Sequence, residues 1–369
     1  MSDSRGSMAD APPHLERLAD VHTLGQGTMA TAHVAVRSVR HAHDRTGAGY
    51  YDLVVSDASA KLPGKIWGDS RAYGETSRAG LGAEFEGAVV KLLFTVGSYR
   101  DAVQLTVTRI RTLEAGESSD RDAIFGPGWE LVEGLRCKTL VFDIETVPAL
   151  DPEQVPDSVA KAIARSAERH DGDRDKAMGL SPYYGKIVSL AFGEGEDPEH
   201  EPTALVVPPA SSEAGGEGEG ATEYPPWMRP MSEVELLRAF WHLADAAELV
   251  VTFNGRGFDL PFVVTRSLIL GVPARVDLLS SPFSLRPHLD LYRLLGHGRG
   301  GLGGSSLDVV CWSLGIESPK GAMDGSMVAP TYARGDIESI ATYNAADVRA
   351  TRAVYRHVHE HLLPYRNDW

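Results

Sequence analysis

The chain has 369 residues, 43% of them apolar, which is long enough to bury two separate cores. It contains no eighteen-residue apolar run and no apolar leader behind its polar start, so neither a membrane span nor a secretory signal is expected; its two cysteines, Cys137 and Cys311, are too few for a disulfide framework or a cysteine zinc site and fit a reducing cytoplasm. The net charge of −15 excludes a generally basic nucleic-acid binder, yet residues 1–116 hold 13 basic and 13 acidic residues, so the whole excess lies in residues 117–369.

Residues 1–18 are polar and proline-bearing and read as a disordered tail. Leu24-Gly25-Gln26-Gly27-Thr28 reads as a turn, because a lone G-x-G without the lysine of a phosphate loop is uninformative. Strands are expected over Thr28–Val39, Tyr50–Ser56, Ala60–Trp67, Gly87–Val96 and Ala102–Ile110, with a helical or irregular connection at Ser70–Glu84. Pro63 suggests an edge or bulge in the third. Five strands in this order suit an all-β five-stranded OB-fold barrel over residues 19–113, a fold whose faces and loops bind single strands. Trp67, Phe94 and Tyr99 are candidate base-stacking residues. Lys65, Lys91, Arg100 and Arg109 are candidate phosphate contacts. About half the strand residues of any barrel point inward, so each aromatic has an equal claim to the core. The runs YYDLVVSDASAKLPGKIW and GAVVKLLFTVGSYRDAVQLTVTRIRTL resemble OB-folds of the tRNA-anticodon-binding type, which precede the nuclease domain in some bacterial 3′→5′ exoribonucleases. Residues 114–136 read as a linker whose end packs on the next domain through Phe125 and Trp129.

The remainder, residues 137–369, is organised around KTLVFDIETVPAL at 138–150. Thr139–Asp143 has the β-branched, apolar composition of a buried strand. Asp143 and Glu145, two apart on that strand, share a face, and two like charges there demand a cationic neutraliser. Divalent metal ions held by carboxylate oxygens are the economical answer. Further strands are expected at Lys186–Gly193, Thr203–Val207 and Glu248–Phe253, with an acidic, low-complexity surface loop at 209–226. Ser232 and Glu235 form a capping box for a helix reaching about Ala247. After Phe253 comes Asn254-Gly255-Arg256-Gly257-Phe258-Asp259; taken alone, Asp259 reads as a cap for the next helix. His288 and Asp290 read as capping or core-polar residues. Ser305 or Ser306 caps a helix over Leu307–Leu314, and the last helix, about Asp336–Leu362, carries Tyr343 and Asp347 one turn apart on one face.

In this order Asp143-x-Glu145, Asn254-x3-Phe258-Asp259 and Tyr343-x3-Asp347 resemble the DEDD superfamily of 3′→5′ exonucleases, in its tyrosine subgroup. VFDIETVP, VTFNGRGFDLPF, HLDL, SLDVVCWSLGI, PKGAMDGSMV and YNAADVRAT are similar, over roughly 138–362, to predicted exonucleases related to the proofreading domain of family B DNA polymerases. One departure is Asn344-Ala345, where an acidic residue or a cysteine is frequent. The resemblance implies an α/β ribonuclease H-like domain, a mixed sheet flanked by helices. It implies that Asp143, Glu145, Asp259 and Asp347 hold two Mg²⁺ or Mn²⁺ ions, that Tyr343 orients the attacking water, and that nucleoside 5′-monophosphates leave from the 3′ end. Asn254, Phe258, Arg256 and Lys320 are then candidate substrate contacts. The partner is single-stranded nucleic acid, with DNA favoured, while protein partners are left open. An exoribonuclease and a catalytically inactive binding or scaffold protein are the competing readings.

Overall fold

The computed structural model describes residues 11–78, 88–114, 117, 119–209, 223–280, 284–296, 305–318 and 323–369. In the first part, alternating apolar and polar positions along strands β2 (Met29–His43), β3 (Gly49–Ser56), β4 (Lys61–Trp67), β5 (Val89–Tyr99) and β6 (Ala102–Thr112) leave one buried face per strand. They close in the order β2-β3-β4-β6-β5 and back to β2. The 15-residue β2 serves both edges of this seam, and its register against β3 shifts between Val36 and Ser38, where the strand bends. Helix α1 (Arg71–Arg78) connects β4 to β5. The interior holds Val34, Val36, Leu53, Val55, Ile66, Leu92, Leu105 and Val107. This is a closed five-stranded barrel with the strand order of an OB-fold.

Three expectations need correction. The tail is ordered before residue 18: β1 (His14–Leu15) pairs parallel with β2 at Thr31 and Ala32, and Leu18 is buried, its N–H donating to Asp57. Phe94 lies wholly inside the barrel and offers no platform for a base. Phe125 and Trp129, on and just after helix α2 (Arg121–Phe125), pack on Ala35 and Val89 of the barrel, so they belong to the first unit's packing. Residues 1–10, most of the acidic stretch 209–226, and Lys320 lie outside the described residues.

The chain divides into two compact units, Met1–Trp129 and Glu130–Trp369. The second is built on a six-stranded sheet of β7 (Thr139–Pro148), β8 (Gly185–Glu194), β9 (Thr203–Val206), β10 (Met228–Pro230), β11 (Leu249–Thr252) and β12 (His288–Asp290). The order is β10-β9-β8-β7-β11-β12; β8 runs antiparallel to both neighbours and the other pairs are parallel. Helices α3 (Asp157–Ala167), α4 (Arg174–Gly179), α5 (Glu233–Ala246), α6 (Asp259–Leu270), α7 (Leu291–Leu295), α8 (Leu307–Leu314), α9 (Val328–Ala333) and α10 (Ile337–His361) complete it. The expected capping box is present: Ser232 accepts from Glu235 N–H, while the Glu235 carboxylate accepts from Ser232 N–H.

Alternation along β7 splits its side chains between two cores. Leu140, Phe142 and Ile144 pack with Phe240, Trp241, Leu260 and Phe262 of α5 and α6. Val141 and Val147 pack with Ile340, Ala341, Ala345 and Val348 of α10. Asp143 and Glu145 stand between those two valines in sequence, on the face turned to α10. The second unit is thus a mixed six-stranded sheet with a helix-packed core on each face.

The reassignment of Phe94 is checked by urea unfolding. Phe94→Ala should cost about 3–5 kcal/mol, as for other fully buried aromatics. Trp67→Ala, at a partly exposed position, should cost under about 1 kcal/mol.

Candidate active site

One oxygen from each of Asp143, Glu145 and Asp347 lies within 4.8 Å of the others. Strand β7 supplies the first two and α10 the third, because α10 crosses the β7–β8 pair. The register of that pair shifts just past Glu145, where β8 carries an extra residue. The bulge interrupts the ladder beside the site, and pairing resumes from Thr146 to Pro148.

Asp259 reaches the group differently. Strand β11 pairs with β7 only as far as Val141, so the chain after β11 curls over the continuing end of β7. Asp259 is the first residue of α6, not its cap, and its buried Oδ1 accepts from the N–H of Ile144 at 3.2 Å. The fourth carboxylate is thus tied to the residue between the first two. The turn that delivers it is tight. Asn254 is left-handed (φ 67°), and a Cβ on Gly255 would meet Thr252 Oγ1 at 2.3 Å. Asp290, at the end of β12, holds this turn: its oxygens accept from the N–H groups of Asn254 and Arg256, each at 3.0 Å, and it also caps α7. His288 is buried and its Nε2 lies 2.8 Å from Thr252 Oγ1. Both match the expected capping and core-polar roles.

Tyr343, half-buried one turn before Asp347, is hydrogen-bonded to its carboxylate. Asn344, fully buried, is the residue whose part was missed: its Nδ2 donates to Asp143 Oδ2 at 2.7 Å. Phe258 is half-buried against Phe262, ring centroids 5.5 Å apart, and Asn254 is exposed at the turn. Arg256 does not suit a phosphate contact. It is buried, with Nη1 donating to the carbonyl of Leu279.

In the barrel, Tyr50 and Trp67 are cross-strand neighbours, with Lys65 Nζ 4.2 Å from the first ring centroid and 4.8 Å from the second. Trp67 is 38% exposed. Tyr50 was not singled out from the sequence, although its place opposite Trp67 follows from the hairpin register. Tyr99 and Arg100 sit together at the β5–β6 turn, and Arg109 is exposed on β6. Lys91 is engaged by Glu117, 3.2 Å away, together with His33 and Arg111.

The electrostatics of the carboxylate group follow from burial. Desolvation lifts Asp143 and Glu145 well above the usual carboxylate range, and each neighbour's charge adds to it. Burial brings Asp259 to about 7 and Asp347 to about 6, with hydrogen bonds from Ile144 and Tyr343 opposing. Tyr343 is pushed above its ordinary value by burial and by the carboxylates around it. An all-oxygen donor set that resists ionising together fits hard divalent cations such as Mg²⁺ or Mn²⁺.

Four carboxylates gathered over the central strand of a mixed sheet make a constellation able to hold divalent cations. Residues 228–362 match the family model described as a predicted 3′–5′ exonuclease related to the exonuclease domain of PolB. That region contains Asp259, Tyr343 and Asp347, and the structure brings Asp143 and Glu145 to it from outside. No curated protein matches the sequence. Among solved structures, the family B DNA polymerase of Pyrobaculum calidifontis aligns at 14% identity and TM-score 0.40, over 89% of this chain and 46% of the polymerase. The chain therefore spans less than half the length of that polymerase. The second OB-fold domain of replication protein A from Methanococcus maripaludis aligns at 15% identity and TM-score 0.18, over 26% of this chain and 93% of that domain. The SSB domain of a Synechococcus protein aligns at 16% identity and TM-score 0.18, over 22% of this chain and 92% of its own. Among the described residues, no helix is long and apolar enough to cross a membrane.

Raised pKa values make the folded state hold protons that the unfolded chain has lost, since an unfolded Asp titrates near 4. Without metal, this site's contribution to stability is full below about pH 4 and is lost as pH rises through about 7. Thermal unfolding in EDTA should therefore show wild type losing ground to Asp143→Asn between pH 5 and 8, and Mg²⁺ should restore most of the loss at pH 8. A wild-type-to-variant difference independent of pH would contradict this electrostatic account.

Proposed function

We propose that this protein is a metal-dependent 3′→5′ exonuclease that releases nucleoside 5′-monophosphates from single-stranded nucleic acid, with DNA favoured. The convergence of Asp143, Glu145 and Asp347 within 4.8 Å, with Asp259 tied to the same strand, carries the reading. Asp143, Glu145, Asp259 and Asp347 would hold two Mg²⁺ or Mn²⁺ ions. When bound, the ions supply an activated water and neutralise charge on the phosphate and the departing 3′ oxygen.

The chain's own residues do the rest. Tyr343, pushed above its ordinary pKa, stays protonated over the working range. Its hydroxyl is steered by Asp347 and so serves to orient water beside the scissile phosphate. Asp259 fixes the loop containing Asn254 and Phe258 at the rim, where a terminal nucleotide would lie. Asp290 keeps that loop folded by holding two of its N–H groups. The preference for DNA rests on the family model's relation to PolB. Residues 137–369 would form the nuclease domain and residues 19–113 the domain that grips the strand.

The test is a gel assay with end-labelled single-stranded DNA and RNA of one sequence, with Mg²⁺, Mn²⁺ or EDTA. Shortening from the 3′ end, lost in EDTA, is expected, faster on DNA. Asp143→Ala should reduce it on the order of 10²- to 10³-fold or more, and Tyr343→Phe by about 10²-fold. Binding without cleavage under either metal would sink the enzyme reading. Cleavage of RNA alone would reverse the sugar preference. For the barrel, Trp67→Ala should raise KM on a long oligonucleotide about fivefold or more with kcat unchanged, the loss of one stacked base. An unchanged KM would remove Trp67 from the substrate path.

A further inference from the structure

We infer that Asn344 is a positioning residue for Asp143: its amide, locked by Ser189 and Ala191, holds one Asp143 oxygen and leaves the other for a divalent cation. This rests on the metal-dependent reading above. Asn344 sits beside Tyr343 on α10, over the β7–β8 pair. Its Oδ1 accepts from Ala191 N–H at 2.7 Å and from the Ser189 hydroxyl at 2.8 Å. Ala191 is the cross-strand partner of Asp143 and Ser189 that of Glu145. One side chain therefore spans the strand pair that carries both carboxylates.

The orientation of the amide is not a free choice. A backbone N–H can only donate, so the atom facing Ala191 must be the amide oxygen. The NH₂ group then points the other way, at Asp143 Oδ2, 2.7 Å off. With Asn344, Ser189 and the Ala191 backbone all buried, water does not compete for these groups. The Asp143 carboxylate is held in one rotamer by a donor that carries no charge. An acidic residue at 344 would face Asp143 with another carboxylate, and an apolar one would leave Ala191 N–H and the Ser189 hydroxyl unpaired. Outer hydrogen bonds of this kind fix a ligand's direction, and losing one commonly costs about 10- to 100-fold in metal affinity.

The experiment is a Mn²⁺ titration of the full chain, read by the electron paramagnetic resonance signal of free Mn²⁺, without nucleic acid. Wild type, Asn344→Ala, Ser189→Ala and Asp143→Ala are compared, with the melting temperature in EDTA recorded for each. Asn344→Ala should raise the half-saturating Mn²⁺ concentration about 10- to 100-fold. Ser189→Ala, which removes one of two tethers and keeps the amide, should shift it less in the same direction. Asp143→Ala gives the floor. A folded Asn344→Ala protein with lowered melting temperature and an unshifted midpoint would make the residue structural and overturn the inference, while the nuclease reading stands. If Asn344→Ala does not fold, Ser189→Ala decides by the same criterion. A wild type that binds no Mn²⁺ overturns both.

Discussion

Mutual repulsion among carboxylates at the middle of β7 is the constraint on which the second unit turns. Asp143 and Glu145 share a face of a central strand, and α10 and α6 bring two more acids to them. In a dry site each additional charge is worth several kcal/mol against folding unless something opposes it. Three features of the chain oppose it: a backbone N–H from Ile144 to Asp259, a phenol from Tyr343 to Asp347, and an amide from Asn344 to Asp143. None is a cation. Among the described residues that hydrogen-bond these acids, positive charge is supplied by no side chain, so burial and mutual repulsion hold their pKa values up. The geometry is kept by neutral donors while the charge is left uncompensated, which is the arrangement a removable metal requires.

The loop after β11 shows how far the fold goes to place one acid. Asn254 is left-handed, Gly255 is pressed against Thr252, and Asp290 from the next strand clamps two N–H groups of the turn. Asp290 does this because β12 lies parallel beside β11, with Thr252 opposite Asp290. The strand β12 is three residues long, so its contribution is this clamp and the buried His288–Thr252 contact more than sheet area.

Much of this was legible in the sequence, and the limits are physical. The apolar run ending in Asp143-x-Glu145, the Ser232 capping box and the tyrosine one turn before Asp347 are local patterns, set by periods of 2 and 3.6 residues. Asp259 looked like a helix cap because an Asp before Leu-Pro is a local signal; its actual partner, Ile144 N–H, lies 115 residues away. Phe94 and Trp67 look alike in sequence, and only the register of a closed barrel decides which one points inward. Arg256 sits among turn residues and reads as exposed, yet the loop folds it under and gives it the Leu279 carbonyl. Asn344 was seen as a departure from a pattern. Its meaning depends on which β8 residues oppose Asp143 and Glu145, and a one-dimensional pattern does not contain that.

The uneven charge of the chain gives these local facts a common consequence. The first unit is neutral up to residue 116, and the excess of acid belongs to residues 117–369. A polyanion is repelled by the acidic part at long range, with screening over about 8 Å at physiological salt. On the proposed function, attraction must then come from short-range terms. The Tyr50–Lys65–Trp67 group offers two rings for stacking, while the Lys65 ammonium beside them is already paired with Asp52 at 3.4 Å, and stacking energy depends little on net charge. At the carboxylates the sign of the interaction depends on metal: four acids without an ion repel a phosphate, and the same acids loaded with cations attract it. On the proposed function, substrate engagement and metal loading would therefore be linked at the site itself, and the neutral amide of Asn344, which adds no fifth negative charge, would favour both.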